Sequence, residues 1–434
     1  MYEPTRWHTN TTTSTRHDGV IVERDSVREA PRPNGGRTMQ LTLIRSYLPG
    51  FRTADAAASA TVTVRQILNH SAGWLGDSYL DTGDDAGALA RYVAAMDRLP
   101  QLTPPGRVFA YNNAALSLAG RLIEVVTRRP YEEEVRQGLL DPLRLTRSGF
   151  FLDEIPGARV AQPHVYDRAT GGIVVSPESW WIPRSIHPAG ALISSARDQI
   201  RWARFHLGDG GRVLSGRSIR AMRSRPGPGG TLHVELDGVG VTWMLRPTAE
   251  GPTVVQHGGD WAGQHSGFLM VPARGFAITV LTNSDTGTRL LDDLFVGDWA
   301  LRRFAGVGNI PAPPLKLTDA ELAPYVGRYS GQTIDFDGTV YTGEFEFVAD
   351  GGRLVLMFDG QARDGYAFYR KDYVVDLPLS GGTEEGPRAN FVRGPDGTVQ
   401  WFRLGGRLAR RGGPSAATRG GRRAATFNPR SLLS

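Results

Sequence analysis

The spacing of apolar residues changes near residue 240, and this change limits the folds that the chain can adopt. Before it, apolar residues recur at helical spacing, whereas after it they form short alternating or β-branched runs. The predicted helices are 65–68, 86–99, 113–128, 131–140, 195–207 and 289–304. The predicted strands are 239–245, 253–257, 266–271 and 276–281. Helices followed by antiparallel strands and a closing helix predict an α+β domain.

The Pro-rich segment 308–317 separates this domain from a second run of short strands. These strands are predicted at 325–329, 343–348, 354–358, 367–369, 373–377, 389–392 and 399–402. The stretch 335–345 loosely resembles a calcium-binding loop, but Val340 and Tyr341 stand where ligands are needed. We therefore interpret it as a hairpin, and we predict that the second domain is a small all-β barrel.

The net charge of +6 belongs to the end of the chain. Beyond Gly406 the sequence carries seven arginines and no acidic residue, and removing these seven charges from +6 leaves −1. A solvated basic tail accounts for this distribution better than a basic folded surface does. We therefore predict no nucleic-acid partner.

Other classes of protein are excluded by what the sequence lacks. No apolar run approaches the ~18 residues that a membrane helix needs, so no membrane span is predicted. The first 19 residues have no apolar core of the kind found in a secretory signal, which predicts a cytoplasmic location for the chain as written. Cysteine is absent, which excludes disulfides, thiolate zinc sites and a cysteine nucleophile.

Tyr111 and Asn113 stand immediately before the longest predicted helix. A helix N-terminus offers free N–H groups and partial positive charge, which can favour the phenolate form that a tyrosine general base needs. The alternative interpretation is that Asn113 caps the helix and that Tyr111 is a packed aromatic. On spacing alone we favour this second interpretation.

The stretch QHGGDWAGQHSGF, residues 256–268, is predicted to contain a strand end at His257. Gly258 and Gly259 lack side chains, so a substrate could lie along the strand edge and pair with its backbone. His257, Asp260 and His265 also suggest a metal site. No His-Glu-x-x-His motif accompanies them and they straddle a predicted turn, so we predict no metal ion and no cofactor.

Several stretches follow one another in the order typical of one protein family. They are TVRQILNHSAGW (63–74), PGRVFAYNN (105–113), YEEEVRQGLLDPLRLTRSGF (131–150), HPAGALISSARDQIRWARFHL (187–207), HGG (257–259) and LMVPARGFAITVLTNSD (269–285). Together they resemble the serine β-lactamase and penicillin-binding-protein superfamily, in its class C and esterase-like branch. The predicted barrel resembles the lipocalin-like domain often appended to such hydrolases. The resemblance implies a β-lactamase/transpeptidase-like α+β domain, with an antiparallel sheet flanked by helices.

The resemblance also implies acyl transfer, in which a serine of a Ser-x-x-Lys motif attacks a carbonyl and forms an acyl-enzyme. Tyr111 would be the general base and acid, and Asn113 would hydrogen-bond the substrate amide or the lysine. His257 would take a lysine-like position that polarises the tyrosine or meets a substrate carboxylate. The backbone N–H of Asp260 would be one oxyanion donor. The implied substrate is a small ester, a β-lactam or a peptide such as a D-amino-acid amide.

The nucleophile motif of that family is not in the sequence. The two lysines are Lys316 and Lys371, and the residues three positions before them are Pro313 and Phe368, so no Ser-x-x-Lys occurs. The region where the motif would stand, 27–45, contains two prolines that would interrupt a helix.

Three explanations of this absence remain open. The chain is a truncated or frame-shifted product, or it is a pseudoenzyme that binds a ligand, or another serine serves as nucleophile. GDSYL, residues 76–80, resembles a lipase-type Gly-Asp-Ser-Leu block, but no histidine of the chain has an aspartate three residues before it. No Gly-x-Ser-x-Gly elbow occurs either. We favour the first explanation and find the third least supported.

The predicted organisation follows from these patterns. Its parts are an unmatched and disordered segment (1–38), an N-terminally incomplete β-lactamase-like domain (39–306), a linker (307–317), a lipocalin-like barrel (318–408) and a basic disordered tail (409–434). The predicted function is that of a β-lactamase-related serine hydrolase, inactive as written because it lacks Ser-x-x-Lys. The alternative is a non-catalytic ligand-binding pseudoenzyme.

Overall fold

The computed structural model describes residues 42–155, 160–224, 226–382 and 385–413, together with the backbone of residues 422 and 423. The prediction for residues 1–38 lies outside this part of the chain. In the described residues, every helix is too short or too polar to cross a membrane.

The helices lie mainly in the first 305 residues. They are α1 (Ala56–Thr61), α2 (Val64–Leu68), α3 (Ala88–Ala95), α4 (Asn113–Thr127), α5 (Tyr131–Val135), α6 (Asp141–Leu143), α7 (His187–Gly190), α8 (Ala196–Leu207), α9 (Gly216–Ala221), α10 (Thr288–Phe295), α11 (Trp299–Ala305) and α12 (Asp319–Leu322). The predicted long helix is confirmed as α4. It ends where Arg128 adopts a left-handed conformation (φ 58°), shortly before Pro130, which cannot continue a helix.

The strands follow in two groups. They are β1 (His164–Asp167), β2 (Gly172–Val175), β3 (Gly230–Leu232), β4 (Val234–Leu236), β5 (Gly238–Val239), β6 (Met244–Arg246), β7 (Val254–Trp261), β8 (Gln264–Val271), β9 (Phe276–Thr282), β10 (Gly327–Ile334), β11 (Val340–Asp350), β12 (Arg353–Phe358), β13 (Gln361–Arg370), β14 (Tyr373–Leu377), β15 (Arg388–Arg393), β16 (Val399–Leu404), β17 (Arg407–Arg411) and β18 (Arg422–Arg423).

Strands β5 to β9 form an antiparallel sheet with helices on both faces, as the α+β prediction required. On one face Leu291 and Leu294 of α10 pack with Val254 of β7, and α11 joins this cluster. On the other face Ala203 of α8 packs against Phe268 of β8. A separate helical core, built from α2, α3 and α4 around Trp74, adjoins the sheet.

The predicted strand end at His257 is wrong, because β7 continues to Trp261 and stays paired with β8. The glycines explain this continuation. Gly258 lies opposite Gly267, and a Cβ on Gly267 would lie 2.7 Å from the Cδ2 of Leu294. Absence of side chains at this pair therefore allows α10 to pack closely onto the hairpin.

Two further element predictions are wrong, and each fails at a left-handed residue. The segment 239–245 is not one strand: its ends belong to β5 and β6, and residues 240–243 form the turn between them, in which Thr242 has φ 59°. The segment 289–304 is two helices, because Asp298 has φ 49°. The buried Asp298 carboxylate bonds the guanidinium of Arg302 and accepts from the N–H of Asn309 at 2.6 Å, which stabilises the break.

Strands β10 to β17 form a closed eight-stranded barrel, in which each strand pairs antiparallel with the next and β17 closes on β10. Its core is aromatic, with Tyr329, Phe347 and Phe402 all fully buried. The predicted hairpin at 335–345 is confirmed as the connection between β10 and β11. Strand β17 was not predicted, and it extends past residue 408 to Arg411.

The segment expected to be a linker packs against both domains. Val307 belongs to the core under β7 and β8, whereas Ala312 packs against Tyr369 of the barrel. In the segment expected to be a disordered tail, β18 pairs in parallel with β11. Residues 414–421 and 424–434 lie outside the described residues.

The barrel is joined to the first domain by backbone hydrogen bonds. The N–H of Tyr79 donates to the Ile334 carbonyl at 2.8 Å, and the N–H of Ile334 donates to the Asp77 carbonyl at 2.9 Å. At a second point the N–H of Tyr111 donates to the Gly406 carbonyl at 2.9 Å. The turn between β16 and β17 is therefore held directly against Tyr111.

Candidate active site

Tyr111 is enclosed by groups from distant parts of the chain. The imidazole of His70 stacks on its ring with centroids 4.7 Å apart, and the Arg407 guanidinium lies over the ring at 4.6 Å. The ring of His257 is 6.1 Å away, centroid to centroid. His70 and His257 come from the first domain, and Arg407 comes from the barrel. Sequence reasoning predicted Tyr111 and His257 but missed His70 and Arg407.

Burial raises the pKa of Tyr111, and the positive charge of Arg407 only partly opposes this effect. The direction is opposite to the one expected from a helix N-terminus. Tyr111 is therefore a neutral phenol at pH 7 in this arrangement, and it would need a partner able to take its proton before acting as a base.

His70 stacks against the ring of Tyr111 and is itself fully buried. Its Nδ1 accepts a hydrogen bond from the N–H of Asn112 at 3.0 Å, so its proton is on Nε2. Burial, together with the nearby His257 and Arg407, lowers the pKa of His70 to about 3, which keeps the ring uncharged. His70 lies in the family-like stretch TVRQILNHSAGW, but nothing in its spacing indicates the contact with Tyr111.

Asn113 is the first residue of α4, and its side chain does not cap the helix. Asn112 is the cap, because its side chain accepts from the N–H of Ala115 at 2.8 Å. The Asn113 amide instead donates to the Asp77 carboxylate at 3.1 Å and to the Tyr79 hydroxyl at 3.4 Å. The capping interpretation of Asn113 is therefore wrong.

Asp77 is the centre of this polar network. Its carboxylate accepts from the Nε of Arg407 at 3.2 Å and from the Tyr79 hydroxyl at 3.3 Å, besides Asn113. Although burial lowers the pKa of Arg407, the charge of Asp77 and the nearby Tyr79 and Tyr111 outweigh it and raise the pKa. A buried cation and a buried carboxylate thus neutralise each other beside Tyr111.

His257 lies on β7 with its ring towards Tyr111. Its Nδ1–H donates to the carbonyl of Gly258, so that Nε2 carries a free lone pair. Burial lowers the pKa of His257, which makes the ring neutral at pH 7. His257 can therefore accept a proton or a hydrogen bond, but it supplies no positive charge to a substrate carboxylate.

The remaining predicted residues lie along the same hairpin. Gly258 and Gly259 continue β7, with Gly259 opposite Ser266. The exposed Asp260 is paired with His265, whose Nδ1 lies 2.6 Å from the carboxylate, and Asp285 lies 3.3 Å from the other ring nitrogen. Among the described residues, no group of three or more His, Asp or Glu side chains is arranged to hold a metal ion.

A small cleft opens between the two domains at this point. Its lining from the first domain includes Trp74, Asp77 and Tyr111, and its lining from the barrel includes Gln332 and Arg407. The cleft is lined by the Tyr111 phenol and the buried Asp77–Arg407 ion pair. The His257 imidazole and the Asn113 amide lie outside this lining but adjoin it, His257 beside Tyr111 and Asn113 through its hydrogen bond to Asp77. These groups can bind a polar carbonyl compound and move protons around it.

Comparison with known proteins agrees with this fold. The Beta-lactamase family model matches residues 37–298. The chain is 35% identical over 337 residues to Penicillin-binding protein 4 of Amycolatopsis lactamdurans, which covers 72% of this chain and 87% of that protein.

Solved structures resemble the chain over most of its length. The crystal structure of SurE has a TM-score of 0.59 and 26% identity, covering 86% of this chain and 84% of SurE. The structure of SurE with D-Leu also has a TM-score of 0.59, at 25% identity, covering 86% of this chain and 85% of that one. Since the family model matches more than half of its length, this chain belongs to the β-lactamase and penicillin-binding-protein superfamily of hydrolases.

Proposed function

We propose that this chain forms the substrate-binding side of a serine acyl-transfer site that hydrolyses an ester, a β-lactam or a D-amino-acid amide. One observation carries the proposal: Tyr111 and His257, 146 positions apart in the sequence, have ring centroids 6.1 Å apart, and Tyr111 lines the cleft. Asn113 donates to Asp77, which also lines the cleft. In the proposed site the free Nε2 of His257 assists proton transfer at Tyr111, and the backbone N–H of Asp260 is an oxyanion donor.

The neutral state of His257 favours esters and amides over tightly bound β-lactams. A lysine at this position would bind a substrate carboxylate through a charge-assisted hydrogen bond, whereas a neutral imidazole forms a weaker hydrogen bond. Arg407 is already paired with Asp77 and so does not replace that charge. The likeness to SurE with D-Leu supports a D-amino acid as part of the substrate.

The sequence supplies no Ser-x-x-Lys, so we expect no acyl-enzyme from the chain as written. Incubation with a fluorescent penicillin and with a fluorescent fluorophosphonate, followed by denaturing electrophoresis, tests this. The expected result is no covalent label at any serine. A single labelled serine, located by peptide mass spectrometry, would contradict the expectation and identify another nucleophile.

Substrate preference is tested by joining an in-frame Ser-x-x-Lys segment of a relative to residue 42. We expect ester turnover to exceed cephalosporin turnover in the restored protein. Faster cephalosporin turnover would contradict the preference derived from His257.

A non-catalytic ligand-binding role is the second candidate, and the closed polar network favours it. Asn113 and Arg407 both bond Asp77, so the groups expected to bind substrate are already satisfied in this structure. Saturable binding of an N-acetyl-D-amino-acid amide, measured by calorimetry without covalent labelling, would support this role. Absence of saturable binding in a folded protein would exclude it for this ligand class.

A further inference from the structure

Four aromatic rings, here called the aromatic row, extend from the candidate site to the surface. They are Tyr79, Trp261, Phe336 and Trp181, in spatial order. Ring centroids are 6.2 Å apart from Tyr79 to Trp261, 6.2 Å from Trp261 to Phe336 and 5.6 Å from Phe336 to Trp181. Two of the three pairs are edge-to-face, the arrangement that aromatic rings prefer.

The row begins inside the polar network of the site. The hydroxyl of Tyr79 donates to Asp77 and accepts from the Asn113 amide at 3.4 Å. Trp261 lies four residues beyond His257 on β7, and alternate residues of a strand share one face, so both side chains are on the side of the sheet that faces Tyr111. The row is therefore continuous with the proposed substrate site.

The outer end of the row is exposed although its residues are large and apolar. Trp181 keeps 46% of its surface exposed and Phe336 keeps 37%. Both rings sit on supported backbone: the Phe336 carbonyl accepts from the N–H of Asp81 at 2.9 Å, and the N–H of Trp181 donates to the Glu178 carbonyl at 3.0 Å. Exposed apolar rings that are held in place on a protein surface are typical of interaction sites.

We propose that the aromatic row binds an aromatic side chain of the substrate, so that the barrel helps to select the substrate through Phe336. The ligand's ring packs against Trp181 and Phe336, and the rest of the ligand lies along the row towards Tyr79. This inference rests on the proposed function, because that function supplies the amide or ester at the inner end of the row. It adds a substrate class, a D-amino-acid derivative with an aromatic side chain.

Binding of two matched probes to the full chain tests the inference. The probes are N-acetyl-D-phenylalaninamide and N-acetyl-D-alaninamide, with Kd measured by isothermal titration calorimetry. We expect the phenylalanine probe to bind about tenfold more tightly, since ring packing is worth about one power of ten in affinity. Phe336→Ala and Trp181→Ala should each reduce this ratio several-fold and leave the alanine probe unaffected.

Trp299→Ala is the matched control, because Trp299 on α11 is 44% exposed and packs against Phe304, not against the row. It should leave the ratio unchanged. All three substitutions are at exposed rings, so circular dichroism spectra and Tm should stay close to those of the original chain. Equal loss of both probes in Phe336→Ala would overturn the inference.

A third probe, indole, separates this inference from the proposed function. If neither amide binds but indole binds and is lost in Phe336→Ala, the row is supported and the proposed substrate class fails. If both amides bind with equal Kd, the aromatic preference is overturned and the proposed function stands. If no probe binds, both are overturned.

Discussion

Tyr111 shows how single residues of the site depend on distant neighbours. Its backbone N–H is bonded to the barrel, its ring stacks on His70, and its other contacts are Arg407 and His257. Burial raises its pKa, while the neighbouring guanidinium lowers it. The acidity of this phenol is therefore set by the packing of two domains and not by the N-terminus of α4 alone.

His265 gives a prediction of pH dependence at the same scale. Although burial lowers its pKa, the hydrogen bond and charge of Asp260, with those of Asp285, outweigh burial and raise the pKa above its usual value of about 6.5. The stabilisation of the fold by protonated His265 is thus complete below pH ~6.5, and it is lost as the pH rises through the pKa of His265 in the folded protein. Unfolding by urea from pH 6 to pH 9 should show this loss, with a slope of up to ~1.4 kcal/mol per pH unit.

His265→Gln is the control for that experiment, because glutamine keeps hydrogen-bonding capacity without a titrating charge. We expect its stability to vary less with pH in the same range. His70 and His206, whose pKa values burial lowers to about 3, affect stability only at acid pH and do not interfere above pH ~6.5. Parallel pH profiles of the two proteins would contradict the role given to His265.

Among the elements, the β7–β8 hairpin and α10 are closely fitted to each other. Gly258 and Gly267 face each other under α10. A Cβ on Gly267 would lie 2.7 Å from Leu294 of α10, whereas one on Gly258 would lie 3.1 Å from the Ser266 carbonyl oxygen and at ordinary contact distance from Phe295. The absence of side chains at Gly258 and Gly259 predicted that a substrate could pair with the backbone there. For Gly258 the structure adds a packing reason that does not involve a ligand.

Gly267→Ala should therefore destabilise the protein. The added Cβ would lie 2.7 Å from the Cδ2 of the buried Leu294, so the Leu294 side chain or α10 must shift, at a cost of ~1–3 kcal/mol. Gly190→Ala is the matched control, because a Cβ there meets nothing within 4 Å and Gly190 is exposed in α7. We expect the control to be neutral or stabilising by less than ~1 kcal/mol in thermal or urea unfolding. Equal effects of the two substitutions would refute the packing argument.

In the whole molecule, the barrel completes the cleft of the first domain. It supplies Arg407 to the polar network, the Gly406 carbonyl to Tyr111 and the Phe336 ring to the aromatic row. Its β10–β11 hairpin also pairs with the backbone beside Asp77. The barrel is therefore part of the site and not merely attached beside it.

The Asp77–Arg407 ion pair should couple the stability of the two domains. Both side chains are nearly buried, at 8% and 11% exposure, so Arg407→Gln leaves a buried carboxylate without its cation. We expect a loss of ~3–5 kcal/mol in the free energy of unfolding, measured by urea denaturation. The double variant with Asp77→Asn should lose less, because the unpaired charge is gone. Additive losses in the double variant would contradict the coupling.

The sequence by itself determined the fold class, the order of helices and strands and the presence of a barrel, because apolar periodicity and turn residues act locally. It also determined the family, through motifs that include Tyr111, Asn113 and His257. Two of its errors lie at residues with left-handed backbone, Thr242 and Asp298. Others, such as the strand end predicted at His257 and the unpredicted strand β17, depend on pairing with other strands.

Only the tertiary structure decided how the site is assembled. The contact between Asp77 and Arg407 spans 330 positions of sequence, and no local pattern indicates that the first residue of a barrel strand meets an aspartate in a loop of the first domain. Shifts of pKa follow from burial and from such contacts, so the raised pKa of Tyr111 could not be predicted from its place before a helix. Local periodicity shapes each element, whereas the chemistry of the cleft depends on which distant residues the packing brings together.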